Sequence, residues 1–121
     1  LLFCGVVLLT ATLVALFASS FGPSAQPPEA GTVVVYKSAT CSCCSRWVEH
    51  LRLAGLKVEV RNEDDLSSIK TRLGVSQDLA SCHTATVSGY VIEGHVPAAE
   101  IKRLLIEKPK ARGLAVPGMP I

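Results

Sequence analysis

The chain has 121 residues, 49% of them hydrophobic and 5% aromatic, and its twelve basic and ten acidic residues give a net charge of +2. Nucleic-acid-binding proteins carry a basic stripe with interleaved aromatic residues, and this mild, mixed charge excludes that class. The length that follows the apolar start is enough for one small domain. The sequence shows no internal repeat and no sign of an organic cofactor.

The start of the chain predicts export. Residues 1–18 carry no charge and are almost wholly apolar, and a stretch rich in small residues and proline follows them. This pattern is typical of a secretory signal peptide, and its length is also near the minimum of about 17 residues for a membrane-spanning helix. We expect residues 1–25 to be a signal peptide or N-terminal membrane anchor, with the given sequence starting inside it, and residues 26–31 to be a linker. Cys4 is interpreted as an apolar filler of this segment.

Residues 32–108 alternate between strand and helix signals, with Gly55 and Gly74 ending two of the helices. The predicted elements, in chain order, are a strand over 32–36, a helix from about 45 to 54, a strand over 56–60, a helix over 66–73, strands over 85–87 and 90–92, and a helix from 97 that stops at Pro109. Ser38 and Thr40 are expected to cap the first helix, and residues 62–65 to cap the second.

The order of these elements predicts an α/β, thioredoxin-like domain, β-α-β-α-β-β-α. A helical crossover joins the first two strands, so they should be parallel, and the last two should form an antiparallel hairpin. Residues 109–121 lack periodicity and predict an irregular C-terminal extension. In open α/β sheets, ligand sites lie at the carboxyl ends of strands.

Three of the five cysteines, Cys41, Cys43 and Cys44, lie within four positions, between the first strand and the first helix. A disulfide between such close residues would close almost no loop and add little stability, so chemistry explains this spacing better than a structural staple does. The amide N–H groups of a helix start favour thiolate, which is both a nucleophile and a soft-metal ligand. Cys41 and Cys44 have the C-x-x-C spacing of a redox pair, and a third thiolate can bridge metal ions.

Cys82 is expected to lie against this turn, because it precedes the third strand. His83 adds an imidazole, and Met119 lies in a tail that could fold back over the site. Thiolates with a thioether and an imidazole favour copper, above all Cu(I), while zinc and an iron–sulfur cluster stay open. Loop and gap-filling roles are the alternatives for His83 and Met119. Structural roles are expected for three other residues: a solvated helix face for His50, a surface or turn position for His95, and a core position for Trp47.

Several segments, covering the chain from about Val33 to its end, resemble the CopG-type copper-resistance proteins. They are Tyr-Lys-Ser-Ala-Thr-Cys-Ser-Cys-Cys at 36–44, Trp47, Ser-Cys-His-Thr-Ala at 81–85, Gly-Tyr-Val-Ile-Glu-Gly-His-Val-Pro at 89–97 and Gly-Leu-Ala-Val-Pro-Gly-Met-Pro at 113–120.

The resemblance implies a thioredoxin-like domain in the bacterial periplasm, whose C-terminal extension contributes to metal binding. It also implies a sulfur-held cluster of several copper ions and a role in interconverting Cu(I) and Cu(II). The cluster ligands that it implies here are Cys41, Cys43, Cys44 and Cys82, with His83 and Met119 as weaker carry-overs. Family members continue past Met-Pro, so we expect the extension to be truncated at Ile121.

These observations predict a monomeric periplasmic copper-binding protein that acts in copper resistance, with a copper efflux system or other periplasmic copper proteins as candidate partners. One alternative is a thiol-disulfide oxidoreductase using Cys41 and Cys44, although Ser-Cys-His-Thr at 81–84 lacks the proline that thioredoxins keep before the third strand. The others are a Cu(I) metallochaperone without redox chemistry and a zinc-storage protein.

Overall fold

A computed structural model of the chain describes residues 31–118. The expected signal peptide or anchor, Cys4, nearly all of the linker and Met119 lie outside the described residues. Between residues 31 and 118, no helix is both long enough and apolar enough to cross a membrane.

The described part contains five strands and three helices, and the first seven of these elements follow the order that the sequence predicts. They are β1 (Val33–Lys37), α1 (Ser42–Leu53), β2 (Val58–Asn62), α2 (Leu66–Arg72), β3 (Thr84–Val87), β4 (Tyr90–Glu93), α3 (Ala98–Glu107) and β5 (Gly113–Ala115). Asp65 caps α2, as its position before that helix predicts, by accepting a hydrogen bond from the Ser68 amide at 3.0 Å.

The strands form one mixed sheet in the order β2-β1-β3-β4-β5. β1 and β2 are parallel, as the helical crossover predicts, and β3 and β4 form the predicted antiparallel hairpin. Ser88 and Gly89 turn this hairpin with positive φ angles of 47° and 84°, as a tight two-residue turn requires. The predicted α/β architecture is confirmed.

The extension contributes a short strand that its aperiodic sequence does not predict. β5 pairs in parallel with β4, with Gly113 opposite Val91 and Ala115 opposite Glu93. A side chain at position 113 would overlap the Val91 carbonyl oxygen, so only glycine allows this approach. Three residues are too few to show an alternating pattern, and this edge strand is recognised only from its pairing.

β1 and α1 place the cysteine-rich turn firmly. Val33, Val34 and Val35 are all buried, so both faces of β1 are covered. α1 packs on the sheet through Trp47, Val48 and Leu51. The indole N–H of Trp47 donates to the Val96 carbonyl at 2.8 Å, which fixes the middle of α1 to the segment that precedes α3.

Candidate metal centre

The turn at residues 41–44, here named the CxCC turn, forms the start of α1. Cys41 is the N-cap residue, and Cys43 and Cys44 lie in the first turn of the helix. The helix therefore begins about three residues earlier than its apolar periodicity predicts. Ser38 and Thr40 do not cap it: their hydroxyls lie 3.1 Å apart, and the Thr40 amide donates to Ser38 Oγ. With no side-chain cap, the first amides of α1 are left beside the sulfur atoms.

The four cysteines of the described residues come together. Cys41 and Cys44 form a disulfide with their Cα atoms 5.4 Å apart, whereas Cys43 and Cys82 are free. Cys41 Sγ and Cys43 Sγ lie 3.4 Å apart, and Cys44 Sγ lies 3.8 Å from the Cys82 carbonyl oxygen. All four sulfur atoms lie within 4.8 Å of one another. The predicted convergence of Cys82 on the turn is confirmed, and the disulfide joins the two residues with C-x-x-C spacing.

A buried polar network holds the segment that carries Cys82, residues 80–83, here named the Cys82 loop. Glu93, at the end of β4, is only 2% exposed. One of its carboxylate oxygens pairs with Lys70 Nζ of α2 and accepts the Ser81 amide at 2.8 Å. The other accepts the Thr84 hydroxyl at 2.6 Å. Because these bonds flank Cys82 on both sides, they fix its backbone beside the CxCC turn.

Besides the sulfur atoms of the CxCC turn, two histidine rings lie next to the Cys82 sulfur. Cys82 Sγ lies 3.4 Å from His83 Nδ1 and 3.5 Å from His95 Nε2. His83 is fully buried against Trp47, with ring centroids 4.2 Å apart, and its ring lies 5.2 Å from that of His95. Among residues 31–118, His83 Nε2 is the buried side-chain nitrogen that lacks a hydrogen-bond partner.

Burial sets the protonation of this group. Burial, together with the neighbouring His95, lowers the pKa of His83 to about 4. Burial also lowers the pKa of His95, and Arg46 adds to that effect. Both imidazoles are therefore neutral near pH 7, the form in which histidine binds metals. Burial raises the pKa of the Cys82 thiol, so a metal that binds there must displace its proton.

The sequence predicted a surface or turn position for His95, and its position beside Cys82 was missed. The hairpin register could have revealed it. Thr84 pairs with Glu93, and the Gly94 amide donates to the His83 carbonyl at 3.2 Å. Extending this antiparallel register by one more residue brings Cys82 opposite His95.

The C-terminal extension runs alongside the Cys82 loop. Ser81 and Gly118 form a parallel β-bridge, the Ser81 hydroxyl donates to the Gly118 carbonyl, and the Gly118 amide donates to the Ala80 carbonyl at 3.3 Å. Gly94 allows this approach, because a side chain there would overlap the Val116 carbonyl oxygen. Met119 follows directly but lies outside the described residues, so the chain is fixed beside Cys82 up to the residue before it.

Comparison with known proteins identifies the family. Two solved structures, described as copper resistance protein CopG, Form 1 and Form 2, share 46% and 45% identity with the chain. The matches cover 76% and 77% of this chain and 73% and 74% of theirs, with TM-scores of 0.70 and 0.71. The chain belongs to the CopG family of copper-resistance proteins. Residues 79–121 of this CopG homologue also match a family model described as a protein of unknown function, DUF411. None of the curated proteins matches the chain.

The donor atoms of this CopG homologue suit a soft metal. Four sulfur atoms within 4.8 Å can hold metal once the disulfide is reduced, and thiolates select Cu(I), zinc or iron–sulfur clusters. The neighbouring neutral imidazoles extend the choice to Cu(II). The resemblance to copper-resistance proteins agrees with this donor set, and the site combines metal ligands with a dithiol pair that can change oxidation state.

Proposed function

We propose that this protein binds copper in the bacterial periplasm, as a cluster of ions bridged by the thiolates of Cys41, Cys43, Cys44 and Cys82. In this proposal it interconverts Cu(I) and Cu(II) as part of copper resistance. The observation that carries the proposal is the convergence of the four sulfur atoms within 4.8 Å. Four thiolates at this spacing exceed what one linear or trigonal Cu(I) ion needs, and sulfur can bridge two ions.

The oxidation state of the cysteines controls the capacity of this site. With Cys41 and Cys44 joined as a disulfide, only Cys43 and Cys82 can provide thiolates. Two electrons must reduce the disulfide before the full set of four is available. Copper binding in this proposal is therefore coupled to the redox state of the C-x-x-C pair.

The cellular setting is part of the same proposal. The apolar residues 1–18 support export to the periplasm, either free or membrane-anchored. The protein is proposed to act as a monomer on copper ions, and a copper efflux system is the proposed recipient. The printed description of the two similar structures, copper resistance, supports this setting.

An anaerobic Cu(I) titration of the reduced protein, against a chromophoric Cu(I) chelator, tests the binding proposal. The parent is expected to retain more than one Cu(I) per chain, and the double variant Cys41→Ser, Cys43→Ser to lose that copper. Cys4→Ser is the matched control, because it removes a thiol outside the proposed site. If the double variant held as much copper as the parent, the proposal would fail.

The Cys41–Cys44 disulfide favours a second candidate, a thiol-disulfide oxidoreductase. Against it, the residue before β3 is His83 rather than proline. Turnover of insulin disulfides by the metal-free protein would support this candidate, and we expect none above the rate of the Cys44→Ser variant. Metal analysis after anaerobic purification separates both candidates from zinc storage.

A further inference from the structure

The disulfide leaves one complete set of metal ligands untouched. Oxidation removes Cys41 and Cys44 from the sulfur cluster, but Cys82 remains a free thiol. Its sulfur lies beside His83 Nδ1 and His95 Nε2, and the three donor atoms lie within 4.8 Å of one another. This group shares only Cys82 with the four-sulfur site.

We propose that Cys82, His83 and His95 form a second metal site, which takes one Cu(II) ion while Cys41 and Cys44 are joined as a disulfide. The inference rests on the proposed copper function and deepens it. The four thiolates hold Cu(I) in the reduced protein, and the mixed sulfur and nitrogen site holds Cu(II) in the oxidised one.

The spacing of the donor atoms supports direct coordination. A metal with bonds of about 2.3 Å to sulfur and about 2.0 Å to nitrogen, at tetrahedral angles, places the two ligand atoms roughly 3.5 Å apart. The observed Cys82 separations are 3.4 Å to His83 Nδ1 and 3.5 Å to His95 Nε2. Only small side-chain movements are therefore needed to admit an ion between the three atoms.

The chemistry of the ligands selects Cu(II). One thiolate with two neutral imidazoles is the donor set of trigonal copper sites in electron-transfer proteins. Cu(II) would not persist beside a reduced C-x-x-C pair. The Cys41 and Cys44 thiolates would each give one electron to a Cu(II) ion, forming the disulfide and two Cu(I) ions. Once the disulfide exists, this pair can no longer reduce Cu(II), and Cys43 and Cys82 are the thiols that remain free.

The site is reached from the surface through His95. A groove of about 430 Å³ is lined in part by Cys43, Trp47 and His95, while His83 is buried beneath. An ion in this groove is therefore next to His95, whose Nε2 lies 3.5 Å from the Cys82 sulfur. The alternative is a Cys82 thiol that only hydrogen-bonds to the two rings, and Cu(II) loading of the disulfide form distinguishes this thiol from a metal ligand.

Cu(II) loading of the disulfide form tests the inference. The full chain carries Cys4→Ser and Cys43→Ser, so that Cys82 is the only free thiol, and mass analysis after alkylation verifies the Cys41–Cys44 bond. We expect one bound Cu(II), a visible sulfur-to-copper charge-transfer band, and nitrogen couplings from two imidazoles in the EPR spectrum. Adding His95→Gln should weaken binding by at least about tenfold, because it removes a ligand, and delete one nitrogen coupling.

The matched control is His50→Gln in the same background. His50 lines the same groove but is not one of the three donor residues. It is exposed and accepts the Ala98 amide through Nε2, a bond that glutamine can replace. This control should leave the affinity and the spectrum unchanged.

Two outcomes would overturn the inference: no charge-transfer band in the disulfide form, or an identical spectrum after His95→Gln. Failure of the copper proposal itself is a separate result, since the reduced parent would then take up no Cu(I). If reduced His95→Gln still binds Cu(I) on its four thiolates, the two sites are distinct in function.

Discussion

The CxCC turn and the Cys82 loop supply sulfur atoms to one site but are built in different ways. The turn depends on local sequence, since it is the junction of β1 and α1, and two of its cysteines form a disulfide. The loop depends on contacts from distant segments: Lys70 of α2, Glu93 of β4 and Gly118 of the extension. The comparison indicates that the turn is the chemically variable part, while the loop is a rigid anchor that holds Cys82 in place.

The largest loss of stability is expected from Glu93→Ala, which removes the contacts that hold the Cys82 loop. It leaves the ammonium of Lys70, only 14% exposed, with the Thr84 hydroxyl but no carboxylate, and leaves the Ser81 amide unpaired. Breaking a buried ion pair in this way costs about 3–5 kcal/mol in the free energy of unfolding. Urea unfolding measures this loss, and Cu(I) titration should show a weaker site.

The control for that variant is Glu107→Ala, whose ion pair with Arg103 is exposed. Such surface pairs contribute about 0.2–1 kcal/mol. Equal losses in the free energy of unfolding for Glu93→Ala and Glu107→Ala would contradict the anchoring role of Glu93.

A smaller loss is expected from Trp47→Phe, which acts where the two regions meet. The variant removes the indole N–H and leaves the buried Val96 carbonyl without its donor, at a cost of about 1–3 kcal/mol. It also replaces the indole ring against which the His83 ring packs. Urea unfolding measures the change, and Leu53→Ala, at an exposed position on the same helix, should be nearly neutral. If Trp47→Phe and Leu53→Ala lost the same free energy of unfolding, Trp47 would not be the residue that connects α1 to the Val96 segment.

Reducing the Cys41–Cys44 disulfide should change stability by at most about 2 kcal/mol, because the loop that it closes is so short. Urea unfolding of metal-free protein with and without reductant measures the difference, and Cys44→Ser should unfold like the reduced parent. A much larger loss in the free energy of unfolding on reduction would show that the disulfide stabilises the fold, and would contradict a chemical role for the CxCC turn.

Ser81→Ala should detach the extension from the anchor at a cost of about 1 kcal/mol, since it removes the hydroxyl that bonds to the Gly118 carbonyl. Hydrogen exchange at the Gly118 amide should become faster while exchange in β1 stays unchanged. Ser67→Ala, on the exposed side of α2, is the control and should leave Gly118 exchange as it is. Unchanged exchange in Ser81→Ala would show that the extension is held by other contacts.

The smallest effect is expected from acid. Hydrogen bonds from Ser68, through its hydroxyl and its amide, lower the pKa of Asp65 to about 2 from its ordinary 3.8. A lowered carboxyl pKa gives stability that is present above about pH 4 and is lost as the pH falls towards 2. The helix α2, which carries Lys70, should therefore lose part of its cap in that window. NMR titration of the Asp65 carboxyl checks this, and a midpoint near 3.8 would contradict it.

The sequence predicted the features that local patterns encode. Apolar spacing around Trp47 predicted α1, Asp65 was recognised as part of a cap, and the spacing of the cysteines predicted a reactive turn. The meeting of Cys82 with that turn followed from element order, because a loop before the third strand has few places to lie.

The features that were missed depend on pairing between distant segments. Glu93 reads as an ordinary polar residue at a strand end, and only the packing of α2 brings Lys70 to it. His95 reads as a turn residue until the hairpin register sets it opposite Cys82. The strand β5 is too short to show a period. Cys41 is the N-cap residue, while the hydroxyls of Ser38 and Thr40, which the sequence favoured as caps, bond to each other.

Copper K-edge X-ray absorption on the reduced, anaerobically Cu(I)-loaded protein tests the central claim, a single site shared by the turn and the loop. We predict a first shell dominated by sulfur, copper–copper scattering from bridged ions, and loss of that scattering in Cys82→Ser. A shell of nitrogen and oxygen, or a Cys82→Ser spectrum identical to that of the parent, would contradict it.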